Sequence, residues 1–179
     1  MTRKWKLYWL LFIVTLGFYL VMVIWSLPMI SSQTAGLVPF DMRPGGYSSS
    51  EAREFIANLS PDGKEFYLGT QLWLDTFYPG LLAMVLGFGG LGMSRGRFRW
   101  LGYIIFTCAI LGAGADYFEN ASIYDMLMAG TERLSDKMIA KSSMFTLIKS
   151  ISTSIAMVLI LVLIMIKTLG WLKLGKAVR

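Results

Sequence analysis

The chain contains no histidine and a single cysteine, Cys108. Without histidine the commonest general base, metal ligand and haem ligand are missing together. One cysteine allows neither a disulfide framework nor a thiolate metal cluster. Metal and haem chemistry are not expected, and no cofactor is called for. Charge is scarce too: 16% of the residues are Asp, Glu, Lys or Arg, against 55% hydrophobic. A soluble domain of 179 residues needs more polar surface than this, and the mean hydropathy of +0.58 points to a membrane protein.

Acids are absent from three places in particular. The N-terminus (Arg3, Lys4, Lys6), the stretch "SRGRFRW" (Arg95, Arg97, Arg99) and the tail (Lys167, Lys173, Lys176, Arg179) hold ten basic residues and no Asp or Glu. Between them lie long uncharged runs, Leu7–Ile30, Thr76–Ser94, Trp100–Ala115 and Ser150–Ile166. A spanning helix needs roughly 20 apolar residues. The expectation is therefore an all-α integral membrane protein in one domain, with four transmembrane helices at about 7–30, 71–93, 100–122 and 143–166. The first run is too long for the apolar core of a signal peptide and is read as the first span. By the positive-inside rule both termini are cytoplasmic, and 31–70 and 123–142 are outer segments. The net charge of +6 is thus a topology signal, with no nucleic-acid implication. Trp5, Trp9, Trp73, Trp100 and Trp171 fall near span ends, as interfacial aromatics do.

The first outer segment begins with an irregular Ser-, Gly- and Pro-rich stretch. Ser48 and Glu51 then have capping-box spacing. Ala52, Phe55, Ile56 and Leu59 share a face, which predicts a short amphipathic outer helix lying on the membrane or over the bundle. "SPDG" (residues 60–63) reads as a turn leading to the second span, and 123–142 as a mixed-charge loop with room for another short helix. "GFGGLG" (Gly87–Gly92) matches a dinucleotide fingerprint in form only. It lacks the preceding strand, and close helix packing or a loosened helix end explains it better. The sequons at Asn58 and Asn120 carry no weight.

The informative residues interrupt the spans. Sixteen uncharged residues before Asp116 rise about 24 Å, short of the roughly 30 Å hydrocarbon core. The third helix must therefore carry Asp116, Glu119 and Asn120 into the outer leaflet. Likewise the fourth must begin near Ser142 and bury Lys149, while Asp75 enters at a similar depth on the second. Helical spacing aligns Asp116, Glu119 and Asn120 with the small residues Ala109 and Gly112. It also aligns Ser142, Thr146, Lys149 and Thr153 on the fourth helix, and Gln71, Asp75, Tyr78 and Pro79 on the second. Unpaired charge in lipid is costly, so these faces should meet, with a carboxylate from Asp75, Asp116 or Glu119 within salt-bridge distance of Lys149. Such a pair can merely fix helix register. Three acids, an amide and a lysine exceed that need, which makes Asp75, Tyr78, Asp116, Glu119, Asn120, Thr146 and Lys149 the expected ligand-binding residues.

This layout resembles the EXPERA group, which includes the sigma-two receptor and the emopamil-binding sterol isomerases. The resemblance implies a four- or five-helix membrane core with acids around a lipid-like ligand. The isomerases use histidine, which this chain lacks, and its first span carries no acid. The layout is also similar to lipoprotein signal peptidase, whose paired aspartates lie in patterns like G-N-x-x-D and F-N-x-A-D. Here "GADYFEN" places Glu119 at the first position and "MFTLIK" places Lys149 at the second, so the aspartyl dyad is missing unless Asp75 takes the second role. "GYSSSEAREFIANLSPDGKEFY", with "LD", "YP" and "DYFEN" further on, resembles short bacterial membrane proteins and implies no activity.

Two functions are expected from different classes. The first is a polar outer-leaflet pocket that binds, and if chemistry occurs transforms, a membrane lipid or other lipophilic small molecule. The "EAREFIANLS" helix would be its lid, a carboxylate its acid or base, and Lys149 the group that stabilises negative charge. The second is an accessory or assembly subunit of a larger membrane complex, or a homo-oligomer, with a purely structural ion pair. A channel is disfavoured, because the inner halves of the spans carry no ionisable residue.

Overall fold

The computed structural model describes residues 3–177, with side chains described through residue 169. Trp171, Lys173, Lys176 and Arg179 lie outside the described side chains. No strand occurs among the described residues. Four helices are long and apolar enough to cross a membrane. They are α1 (Arg3–Ser32), α3 (Pro61–Met93), α4 (Arg99–Arg133) and α5 (Asp136–Ala177), and a short α2 (Ser49–Asn58) sits between the first two.

Successive long helices run antiparallel, and small residues set how closely they approach. Near the start of α1 the Tyr8 hydroxyl donates to the Val85 carbonyl, near the end of α3, at 3.2 Å. A Cβ at Gly90 of α3 would lie 2.7 Å from Ile105 of α4, and one at Gly87 would lie 2.9 Å from the Phe106 ring. The glycine-rich motif is therefore a helix-packing surface. Gly112 of α4 makes the same kind of approach to Thr153 of α5. This order places Arg3, Lys4, Lys6, the Arg95–Arg99 connection and Lys167 at one end of the bundle, hereafter the basic end.

Two apolar clusters follow. One, nearer the basic end, joins Ala83, Leu86, Ile105, Ala109, Ala156 and Leu163. The other lies at the opposite end and gathers Phe40, Tyr47, Ala52, Phe55, Tyr67, Ile123, Met126 and Ile139. Phe40 packs at a tilt on both Phe55 (4.6 Å between centroids) and Tyr47 (4.7 Å). Such aromatic pairs contribute about 0.5–1.5 kcal/mol each beyond area burial. Ala52, Phe55 and Ile56 point into this cluster, so α2 lies over the bundle. Large apolar side chains on the outer faces of α1 and α5, such as Leu7, Ile13, Ile24, Val158 and Leu161, stay exposed.

Two boundaries differ from expectation. The residues 60–63 do not turn the chain: the Ser60 hydroxyl caps Gly63 N–H at 3.0 Å, Pro61 takes the first helical position, and α3 starts there instead of near residue 71. The segment 123–142 is mostly helix, not loop. Ile123, Met126 and Leu127 continue the buried face of α4 beneath α2, and Leu134–Ser135 alone joins it to α5. Within α4, Gly130 breaks the helical path at φ 62°, a conformation suited to glycine.

The Ser48–Glu51 capping box forms as expected. Ser48 Oγ accepts from Glu51 N–H at 3.3 Å, and Glu51 Oε2 accepts from Ser48 N–H at 2.8 Å. Hydrogen bonds from the Ser48 side chain and then its backbone hold the Glu51 carboxyl below its ordinary pKa. A depressed folded-state pKa contributes stability above the ordinary glutamate value, lost as pH falls through the lower one. Ser48→Ala should cost α2 about 1 kcal/mol. Amide-exchange protection over residues 49–58 should fall in that variant, and in the parent chain as pH drops below the ordinary glutamate range. Unchanged protection in both would contradict the cap's role.

Candidate functional site

The polar residues of α3 are placed by two departures from α-helical geometry. Residues Met22–Ser26 of α1 and Tyr67–Gln71 of α3 each form a single π-helical stretch. These wide turns face each other, and the buried Ser26 hydroxyl donates to Gln71 Oε1. Gln71 Nε2 in turn donates to Asp75 Oδ2 at 2.7 Å. One turn on, Pro79 brings no N–H for the Asp75 carbonyl. Asn120 of α4 supplies a replacement, with Nδ2 donating to that carbonyl at 3.4 Å. The Tyr117 hydroxyl donates to the neighbouring Thr76 carbonyl at 3.1 Å. Thus α4 repairs the proline defect in α3, and the repair fixes Asp75 opposite Asp116. Asn120 Oδ1 is buried without a hydrogen-bond partner.

The second half of the site joins α4 and α5. The Lys149 ammonium lies 3.3 Å from Asp116 Oδ1 and also pairs with Glu119 Oε2. Glu119 is fully buried, and its other oxygen accepts from the Thr146 hydroxyl at 2.6 Å. One turn earlier on α5, Ser142 Oγ accepts from the Tyr47 hydroxyl at 2.7 Å, and Ser143 Oγ accepts from Tyr47 N–H at 2.9 Å. Burial pushes the Tyr47 hydroxyl's pKa well up, so it remains a donor. Of the three carboxylates expected for Lys149, the structure brings Asp116 and Glu119 within ion-pair distance. Asp75 is not within ion-pair distance of Lys149.

A cavity of about 380 Å³ opens beside these groups. Asp41, Asp75, Asp116 and Lys149 line it together with Ser150, Thr153 and Ser154 of α5, and Tyr19, Met22, Leu27, Tyr78, Leu82 and Met157 are among its other lining residues. Tyr19 and Tyr78 stack with centroids 6.1 Å apart. Of the expected site residues, Asp75, Tyr78, Asp116 and Lys149 face the cavity. Glu119, Asn120 and Thr146 do not line it; they sit behind and hold Lys149, Asp116 and the α3 backbone. The lid also differs from expectation. No α2 residue lines the cavity, and the stretch carrying Asp41, Met42 and Pro44 covers it instead. The reason is that α2 spends its apolar face on Phe40, Tyr47 and Tyr67.

Asp41 and Tyr67 join the site without a helical pattern to announce them. The fully buried Tyr67 hydroxyl donates to Asp41 Oδ2 at 2.5 Å, which ties the irregular segment to α3. "FDMRP" has no period that would reveal an inward carboxylate. The one available signal is an acid between Phe40 and Pro44 in a chain with few acids. Among the described residues no group of His, Cys, Asp or Glu is placed to hold a metal ion.

Fold and geometry together define an all-helical chain with four helices of membrane-crossing length and a carboxylate-rich cavity between them. No protein-family model, curated protein or solved structure matches it.

Proposed function

We propose that this chain is a multi-pass integral membrane protein with both termini cytoplasmic. Its polar cavity, in the outer-leaflet half, binds a lipid-like or other hydrophobic small molecule. The observation that carries the reading is the lining of the cavity, which sets Met22, Leu27, Leu82 and Met157 beside Asp41, Asp75, Asp116 and Lys149, with Ser150, Thr153 and Ser154 along α5. Its volume falls among ordinary ligand clefts, about 300–1,000 Å³. A register pin would need one ion pair. Here Asp75 and Asp41 add carboxylates that Lys149 does not neutralise, and inside a membrane such groups are retained for function by default. Their oxygens can accept hydrogen bonds, which suits a bound molecule whose polar end donates them.

Ser154, exposed on α5, lines the cavity without touching the ion pair. Ser154→Trp should fill the cavity and leave the bundle intact. Organic extracts of the purified parent should yield a small molecule near one equivalent, and the variant at least about tenfold less, with similar melting curves. An empty parent, or equal yields from both, would overturn the reading. An empty parent that is stable only beside a second protein would favour the assembly-subunit function instead.

A further inference from the structure

We propose that a second groove, at the basic end between α1 and α3, holds one anionic phospholipid, its phosphate between Lys4 and Arg95. The groove measures about 620 Å³ and is separate from the carboxylate-lined cavity. Its walls are the apolar side chains Leu7, Leu11, Met84 and Phe88, and both cations lie on its border. An acyl chain needs the apolar wall, and a phosphate diester needs the cations. No acid lines the groove to compete for them.

Three details separate this place from a generally basic surface. First, Arg97 and Arg99 are engaged elsewhere. Arg97 lies over the Phe98 ring at 4.7 Å, and Arg99 Nε donates to the Tyr103 hydroxyl at 3.2 Å. Arg95 is the arginine of that connection that borders the groove. Second, the groove has a fixed floor. Tyr8 is anchored on the Val85 carbonyl, and Trp5 packs edge-on against it at 5.7 Å, at the level where indoles meet headgroups. Third, Gly92 leaves the groove open, since a Cβ there would meet nothing within 4 Å. The neighbouring glycines at 87, 89 and 90 are filled by Phe106, Tyr8 and Ile105. Gly92 is thus the glycine of this run whose missing side chain makes room for something outside the chain.

The occupant is a phospholipid and not a soluble anion, because the cations border an apolar trough lined over a full helical turn on each side (Leu7 to Leu11, Met84 to Phe88). Like the cavity reading, the inference rests on membrane insertion. It uses none of the cavity's residues, so either site can fail alone.

The test is lipid titration of the delipidated full chain in detergent by native mass spectrometry, with phosphatidylglycerol and phosphatidylcholine as probes. Each cation near a lipid surface is worth about fivefold in anionic preference, so Lys4→Gln/Arg95→Gln should lose on the order of 25-fold for the first phosphatidylglycerol bound. Arg97→Gln/Arg99→Gln, with the same change in net charge, should keep the parent's preference within about twofold. Gly92→Leu should displace the first lipid of either kind. Should a double variant fail to fold, Arg95→Gln alone, in the connection between helices, should still lose about fivefold. A parent without anionic preference, equal losses in the two double variants, or a first lipid retained by Gly92→Leu would each overturn the assignment.

Discussion

Lys149→Met should lower the unfolding free energy by about 3–5 kcal/mol, the usual cost of removing one partner of a buried ion pair. The size follows from Glu119, which is fully buried and pairs with Lys149 through one oxygen while Thr146 serves the other. Methionine fills the space of the lysine stem but leaves that carboxylate without a countercharge. The chain must then bury a charge, take up a proton or open a path for water. Lys149→Met/Glu119→Gln should therefore recover at least half of the loss, because the amide still accepts from Thr146. Asp116, at the cavity, retains contact with whatever fills that space. Detergent-solubilised unfolding followed by tryptophan fluorescence would measure both variants. A cost under about 1 kcal/mol, the range of an exposed pair, would show that Lys149 is not buried against these acids. The orientation proposed above should not change in this variant, since the ten basic residues from which it is inferred remain.

The second large effect is expected at Gly112. A Cβ there would lie 2.6 Å from Thr153 Oγ1 and 3.7 Å from the Lys149 carbonyl, so α4 and α5 touch almost backbone to backbone. Gly112→Leu must push the helices apart about one turn from the Asp116–Lys149 contact. Overpacking alone costs about 1–3 kcal/mol. The widened gap also separates the ion pair, so the combined loss should approach that of Lys149→Met. At Gly114, two residues on, a Cβ would meet nothing within 4 Å, and Gly114→Leu should be tolerated. The pair of variants controls for helix propensity, which favours leucine over glycine at both positions. Equal melting temperatures for the two would contradict the close α4–α5 approach. Combining Gly112→Leu with Lys149→Met should cost less than the sum, because both act on one contact.

Legibility in the sequence divides along physical lines. The Ser48–Glu51 cap can be read because both partners lie within one turn. The meeting of Lys149 with Asp116 and Glu119 follows from a length argument: the uncharged run of each helix is too short to cross a membrane unless the charges beside it are carried inward. The glycine motif and the Gly112 face can be read as contact surfaces, because small residues at helical spacing serve close approach. What stays hidden depends on tertiary contacts. Asp41 enters the cavity through an irregular segment with no period to betray its direction. Tyr67 and Tyr47 look like ordinary aromatics, yet their hydroxyls tie that segment to α3 and α5. The π-helical stretches at Met22–Ser26 and Tyr67–Gln71 carry no composition signal, and they decide that Gln71 faces Ser26 and Asp75. Pro79 is legible as a local defect in α3. That Asn120 mends it is not. The helix through 123–133 is masked because Asp125 and Glu132 make a polar stretch of what is, on one face, Ile123, Met126 and Leu127.

The central claim is that the space bounded by Asp75, Asp116 and Lys149 is a binding site within a membrane-embedded bundle. A structure of the full chain in nanodiscs made from its own membrane lipids tests this most directly. It should show continuous non-protein density between Tyr78, Leu82 and Met157, with its polar end against Asp75 and Asp116, and Lys149 turned to Asp116 and Glu119. A collapsed, empty interface there, or a Lys149 side chain extended to lipid or bulk water with every carboxylate remote, would contradict the claim.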